Sequence, residues 1–300
     1  MRFLITGALQ AHAECAEILA GMGHRVDFLQ NEKDALPDAA GCYEAVICNG
    51  LFLHHQIEEF KNLKYIQLTS AGYDRVDMEY IRDKGIRIFN AGGVYSIPMA
   101  EFAVAGVLEL YKQSRFFWDN QKNQSWIKNR GLGELHGKTV CILGCGSVGT
   151  ECAKRFKAFG TRVVGVDLYP REDENYVKIC SLDELNPVIS ECDVLVLTLP
   201  LTEETCHIIN SERLALLKDS AVLVNIARGG VVDTEALIKE LPRLYGAVLD
   251  VFEEEPLSCD SPLWDMENVI VTPHNSFVGE NNSYRLNTLI INNFKEFQNA

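Results

Sequence analysis

Three short stretches of this chain carry residue types that together suit proton and hydride chemistry at a carbonyl. In the first, Asn225-Ile-Ala-Arg228-Gly-Gly230, an arginine lies between an apolar run and two glycines. Its planar guanidinium can fork onto a carboxylate while the small neighbours let backbone approach a ligand. The second is Asp250-Val-Phe-Glu253-Glu-Glu255-Pro256, three acids stopped by a proline, and the third is Thr272-Pro-His274-Asn-Ser. An imidazole, with an unperturbed pKa of about 6.5, can give and take a proton near neutral pH, and an acid can hold it in place. Reducing a 2-keto acid needs a cation for the carboxylate, a proton for the carbonyl oxygen and a hydride for the carbon. Each stretch also has a plain structural explanation: an ion pair locking domains for Arg228, a solvated acidic loop, and a structural histidine.

A place for the hydride carrier is suggested by Lys138-Thr-Val-Cys-Ile-Leu-Gly144-Cys-Gly146-Ser-Val-Gly149, an apolar strand running into a Gly-x-Gly-x-x-Gly turn. A helical pattern follows from Thr150 to Phe159. Gly144 permits the tight turn, Gly146 lets backbone approach a pyrophosphate, and Gly149 lets the helix pack closely on its strand. Three glycines in a chain holding 22 of them can also be ordinary turn residues. The flanks argue otherwise. A second apolar run, Arg162-Val-Val-Gly-Val-Asp167, ends in an acid at roughly the ~20-residue offset where a carboxylate binds a ribose diol. Strand, turn, helix, strand and acid in this order are expected to bind a dinucleotide.

The elements that must position these groups alternate along the chain. Strands are expected near Phe3–Thr6, Val26–Leu29, Ala45–Cys48, Tyr65–Thr69 and Ile86–Phe89, with helical stretches between them, Ala11–Met22 among these. That alternation implies a parallel sheet with helices on both faces. Pro98 falls at the start of a long helical pattern to Tyr111, where proline in the first turn is favoured. A polar segment with Trp118, Trp126 and Gly131-Leu-Gly133 reads as an ordered connection or a subunit-contact arm. A second α/β unit begins at Lys138, with later strands at Val194–Thr198, Ala221–Asn225, Ala247–Asp250 and Val269–Thr272. The amphipathic pattern from Tyr284 to Phe297 has no sheet of its own and should return to the first unit. The expected fold is thus α/β, with two doubly wound parallel-sheet domains and an interdomain cleft suited to a small ligand. Residues 1–96 plus 276–300 form one domain and residues 97–275 the other.

Composition narrows the function classes. A formal net charge of −14 leaves no basic footprint for nucleic acid and should repel anionic lipid. There is no apolar run near 18 residues and no charged-then-apolar leader, so no membrane span or secretory signal is indicated and a cytoplasmic location is expected. The 10 cysteines include no CxxC pair and read as buried small hydrophobes rather than a zinc site or disulfide framework. No metal is expected. Cys145, inside the glycine turn, is expected to be partly exposed and open to oxidation.

The loops, the glycine turn and the split first domain resemble the D-isomer-specific 2-hydroxyacid dehydrogenase family over nearly the whole chain. This resemblance implies a Rossmann NAD-binding domain, a flavodoxin-like substrate domain and a homodimer. By the same match Arg228 would bind the substrate carboxylate and polarise its carbonyl, His274 would be the acid/base, and Glu255 would pair with it. The family's cofactor contacts carry over to Gly144, Gly146, Ser147, Val148, Gly149, Asp167, Thr205, Ala227, His274 and Asp250, the last near the nicotinamide amide. Asp167 favours NAD, because its charge would repel a 2′-phosphate. Substrate contacts in the family come from first-domain loops, here Ser70-Ala-Gly72-Tyr-Asp and Asn90-Ala-Gly-Gly93-Val-Tyr95-Ser. Backbone amides at Ala71 and Gly72 would hold the carboxylate, and Tyr95 would either line the pocket or pack between domains. Two departures limit the match: Asn-Ser-Phe-Val-Gly-Glu follows His274 where the family has small residues, and the chain ends at Ala300 without an appended regulatory domain. Formate dehydrogenase shares the fold but partners its histidine with glutamine, which Glu255 disfavours. A corepressor-like, nucleotide-sensing protein on the same fold is the alternative from another class.

Overall fold

Strands separated by helices run parallel here because a crossover must return the chain before the next strand can start in the same direction. In the computed structural model, which describes residues 1–299, the first series is β1 (Arg2–Thr6), α1 (His12–Gly21), β2 (Arg25–Leu29), β3 (Ala45–Cys48), β4 (Tyr65–Leu68), α2 (Met78–Asp83) and β5 (Arg87–Phe89). These strands form one parallel sheet in the order β2-β1-β3-β4-β5. Of the three inner strands, β3 and β4 are buried along their whole length and β1 in all but its first residue, as expected when helices cover both faces. Phe3, Ile5, Leu19, Ile47 and Tyr65 sit in the core on one face.

The second series starts with α3 (Ser96–Tyr111), which carries Pro98 in its first turn, and α4 (Ser114–Lys122). It continues through β6 (Thr139–Leu143), α5 (Ser147–Ala158), β7 (Arg162–Val166), β8 (Lys178–Cys180), α6 (Leu185–Glu191) and β9 (Val194–Leu197). After these come α7 (Ser211–Leu216), β10 (Val222–Asn225), α8 (Thr234–Glu240), β11 (Gly246–Leu249) and β12 (Val269–Val271). The seven strands pair in the order β12-β11-β10-β9-β6-β7-β8, all parallel. Connections leave in opposite directions at β6 and β9, so the crevice of this sheet opens where the glycine turn lies.

Cα packing divides the chain into Met1–Tyr95 with the chain from Gly279 onward as one unit, and Ser96–Val278 as the other. The last helix, α9 (Asn282–Asn299), buries Leu286, Ile290, Ile291 and Phe294, and Phe294 meets Phe3 edge-on at 4.9 Å. Three details differ from the sequence reading. Helix α5 begins at Ser147, three residues before Thr150, because the turn itself supplies the first helical residues. The connection after Tyr111, read as a polar ordered segment, contains α4, a helix with no buried residue. Strand β8 is too short to show a period. Among the described residues no helix is long and apolar enough to cross a membrane.

Candidate active site

The titratable and glycine-rich loops of the second unit all follow strands at the carboxyl edge of its sheet. After β6, Gly144 takes φ +95°, a left-handed backbone that only glycine adopts freely, and a side chain there would lie 2.7 Å from the Leu199 amide nitrogen. Thr198, at the end of the neighbouring β9, donates from Oγ1 to the Gly144 carbonyl at 2.6 Å and fixes the turn. Gly149 packs where a Cβ would be 2.1 Å from that same carbonyl oxygen. Gly146 caps α5 without any side-chain hydrogen bond, and the space where its side chain would stand is open to at least 4 Å. The first N–H groups of α5, at Ser147, Val148 and Gly149, therefore have no capping side chain and face an open cradle. A diphosphate suits such a helix end, since the unpaired amides and the helix dipole both favour an anion.

Asp167 follows β7 and is held beside this turn. Its Oδ2 accepts the Cys145 amide at 2.6 Å and its Oδ1 the Tyr169 amide at 3.0 Å. The Arg171 guanidinium donates to the Cys145 carbonyl. Cys145 itself departs from the expectation of partial exposure: it is fully buried, and burial pushes its thiol up to about 12. The physical reason is Gly165 on β7, whose missing side chain leaves the space that the Cys145 sulfur fills. Oxidation at that thiol is thereby disfavoured.

Arg228 follows β10, whose last residue shapes the loop. Asn225 is buried, accepts the Ala227 amide at 3.1 Å and donates to the Arg228 carbonyl at 3.1 Å. The Arg228 guanidinium contacts only the Ala227 carbonyl, at 2.8 Å, and forms no ion pair among the described residues. Its charge is exposed and available. Thr205 is buried instead, with Oγ1 accepting the Thr202 amide and donating to the Pro200 carbonyl, each at 2.7 Å.

His274 follows β12 and meets Glu255, which follows β11: Nδ1 lies 2.8 Å from Glu255 Oε2. The other Glu255 oxygen accepts the Phe252 amide at 3.0 Å, so the carboxylate is anchored on its own loop. With Nδ1 engaged, Nε2 is the ring nitrogen left for a ligand. The His274 backbone has φ +51°, unusual for a residue with a side chain. Asp250 holds it there. Its carboxylate is fully buried and accepts Thr272 Oγ1 at 2.6 Å, the Asn275 amide at 2.7 Å and the Ser276 amide at 2.9 Å, while its carbonyl accepts the His274 amide at 2.8 Å. Both oxygens of Asp250 thus serve the turn that carries the histidine. Sequence reasoning missed this task, and missed Asn225; the only available signal was a polar residue ending an apolar run.

In the first unit, Asn90 joins the two loops expected to touch substrate, donating to the Ala71 carbonyl at 2.6 Å and accepting the Gly92 amide at 3.1 Å. The amides of Ala71 and Gly72 have no acceptor among the described residues. Tyr95 packs its ring on the core of this unit and donates its hydroxyl to the Thr69 carbonyl. Among the described residues there is no cluster of three or more histidine, cysteine or acidic side chains able to hold a metal ion.

Comparison with known proteins extends this picture. The family model described as D-isomer specific 2-hydroxyacid dehydrogenase, NAD binding domain, matches residues 104–276. The chain is 39% identical over 223 residues to a hydroxypyruvate reductase of Thermotoga maritima, covering 73% of this chain and 72% of that protein. It is 36% identical over 244 residues to a D-3-phosphoglycerate dehydrogenase of Methanocaldococcus jannaschii, covering 80% of this chain but only 46% of that longer protein. Among solved structures, D-lactate dehydrogenase from Aquifex aeolicus, in complex with NAD and lactic acid, superimposes with a TM-score of 0.81 at 27% identity, covering 99% of this chain and 95% of that one.

Proposed function

Because the chain belongs to the D-isomer-specific 2-hydroxyacid dehydrogenase family, we propose that it interconverts a small 2-keto acid and its D-2-hydroxy acid with NAD as the carrier. The observation that carries this reading is the His274–Glu255 contact at 2.8 Å, two strands of one sheet away from an arginine with no ion pair among the described residues. Reduced NAD, when bound, supplies the hydride that reaches the keto carbon. Arg228 binds the substrate carboxylate and draws electron density toward the carbonyl oxygen. His274 delivers a proton from Nε2 to that oxygen, and in the reverse direction removes it. Glu255 fixes the orientation of the imidazole through Nδ1. Water is a poor substitute for this proton donor because it is not held in place.

The turn from Gly144 to Gly149 holds the diphosphate, and Asp167 faces the ribose, where its charge selects NAD over a 2′-phosphorylated carrier. Ala71, Gly72 and Tyr95 are assigned to the substrate; the amides of Ala71 and Gly72, which have no acceptor among the described residues, support that role. Trp118 and Trp126 stand on the surface, the latter 95% exposed, and we assign this arm to the contact of a homodimer. Sedimentation that gave a monomer at micromolar concentration would remove that assignment.

Turnover tests the main reading. Purified protein should oxidise NADH with at least one of glyoxylate, hydroxypyruvate, pyruvate or a branched 2-keto acid, and every product except achiral glycolate should be the D-hydroxy acid on chiral chromatography. Binding of NADH without turnover across that panel would instead favour a nucleotide-sensing role.

A further inference from the structure

The acidic run after β11 contains a second histidine–glutamate contact that the proposed reaction does not use. Glu253 places Oε2 2.9 Å from His207 Nε2 and accepts the Thr234 amide, at the start of α8, on Oε1 at 2.9 Å. His207 also donates its own amide to the Gly230 carbonyl at 2.8 Å. Two residues later, Ile209 forms a parallel bridge with Val232. The loop after β9 is thereby laid along the Arg228 loop by its backbone and fastened to the Glu255 loop by an imidazole. These last two loops also touch directly, since a side chain on Gly229 would lie 1.8 Å from the Phe252 carbonyl carbon.

We propose that His207 and Glu253 are a positioning pair that clamps the loop bearing Arg228 to the loop bearing Glu255, and so sets the geometry between carboxylate binding and proton transfer. The inference rests on the proposed dehydrogenase reading. Three features carry it. Glu253 lies two residues before the acid that holds His274, and Gly230 lies two residues after Arg228, so movement at either end of the clamp is passed to a reacting group. The His207 backbone has φ +49°, a conformation its neighbours must impose. Both partners remain partly open to solvent, which limits the pair's contribution to overall stability and leaves local geometry as its main effect.

The test uses His207→Ala, Glu253→Ala and the double variant of the full chain, with His207→Gln as the conservative replacement that retains a donor. With a 2-keto acid accepted by the wild type, kcat should fall about 10-fold in each single variant. The double variant should fall no further, as for a single coupled unit. NADH affinity should stay within about twofold, and His207→Gln should recover most of the rate. Amide hydrogen exchange should accelerate in residues 227–233 and 252–255 in both Ala variants. Unchanged kcat, multiplicative losses in the double variant, or losses that merely follow NADH affinity would overturn the proposal. Unchanged exchange in those segments would overturn it too, whatever the turnover. Should the wild type itself fail to turn over while exchange responds as expected, the dehydrogenase reading falls and the clamp stands.

Discussion

Replacing Asp250 with Asn probes how the turn bearing His274 is held. The side chain is fully buried and receives three hydrogen bonds, from Thr272 Oγ1, the Asn275 amide and the Ser276 amide at 2.6, 2.7 and 2.9 Å. Asn keeps the volume and one carbonyl oxygen, so the two bonds on Oδ1 can persist. Its –NH2 group, however, faces the Ser276 N–H, donor against donor. An unsatisfied buried amide costs about 1–3 kcal/mol, and bonds to a neutral oxygen are weaker than bonds to a carboxylate by about 1 kcal/mol each. Removing a buried charge returns part of this, because its desolvation is no longer needed. A net loss of about 2 kcal/mol is expected, or about 4–8 °C in melting temperature for a unit of this size. The kinetic effect should be larger. His274 sits at φ +51°, which for a non-glycine residue costs on the order of 1–3 kcal/mol and persists only while the turn enforces it. A relaxed turn that moves the imidazole by about 1 Å would lower kcat up to 100-fold. NADH oxidation at saturating keto acid, read beside thermal unfolding, measures both. A variant with wild-type melting and turnover within twofold of wild type would refute the claim that this carboxylate holds the histidine.

Other perturbations test separate links. Arg228→Ala should reduce kcat/KM for the keto acid by about 10²–10⁴, the value of two charge-assisted bonds, while NADH affinity and melting change little because the guanidinium has no carboxylate partner among the described residues; normal turnover would reject its role. Asp167→Ala should narrow the preference for NADH over NADPH, and an unchanged ratio of kcat/KM values would place selection elsewhere. Gly229→Ala puts a methyl 1.8 Å from the Phe252 carbonyl carbon, so the loops must separate; a stability loss of about 1–3 kcal/mol with reduced turnover is expected in chemical denaturation and rate assays. Burial pushes the thiols of Cys15, Cys145, Cys152 and Cys192 up to about 12 from an ordinary value of 9.0. The unfolded thiols release protons first, so stability should fall as pH rises from about 9 toward 12. A urea midpoint equal at pH 7 and pH 10 would contradict this, as would alkylation of those four at pH 8 as fast as of the exposed Cys42, Cys206 and Cys259.

Local pattern accounts for what could be read before folding. A buried parallel strand is a short apolar run, and a tight turn at φ +95° calls for glycine, so β6, the Gly144 turn and β7 announce themselves within some thirty residues. Charge and composition likewise belong to the chain alone. Two elements went unread: β8 has only three residues, too few for a period, and α4 lies in a polar segment and buries none of its residues. Cys145 was misjudged because its environment is made by Gly165 on the neighbouring strand, 20 positions away.

The residues for a proton, a carboxylate and a dinucleotide were thus present in the sequence as types at strand ends, and resemblance supplied their pairing. Their arrangement required the sheet. His274 and Glu255 are 19 positions apart and meet because β11 and β12 pair in register. Asp250, placed near the nicotinamide amide by resemblance, is turned inward beneath the histidine by that register, a task its position in the chain did not show. Spacing along a chain determines which residues share a strand or a turn; only the closing of a sheet, driven by burial of its apolar faces, determines which strand ends become neighbours.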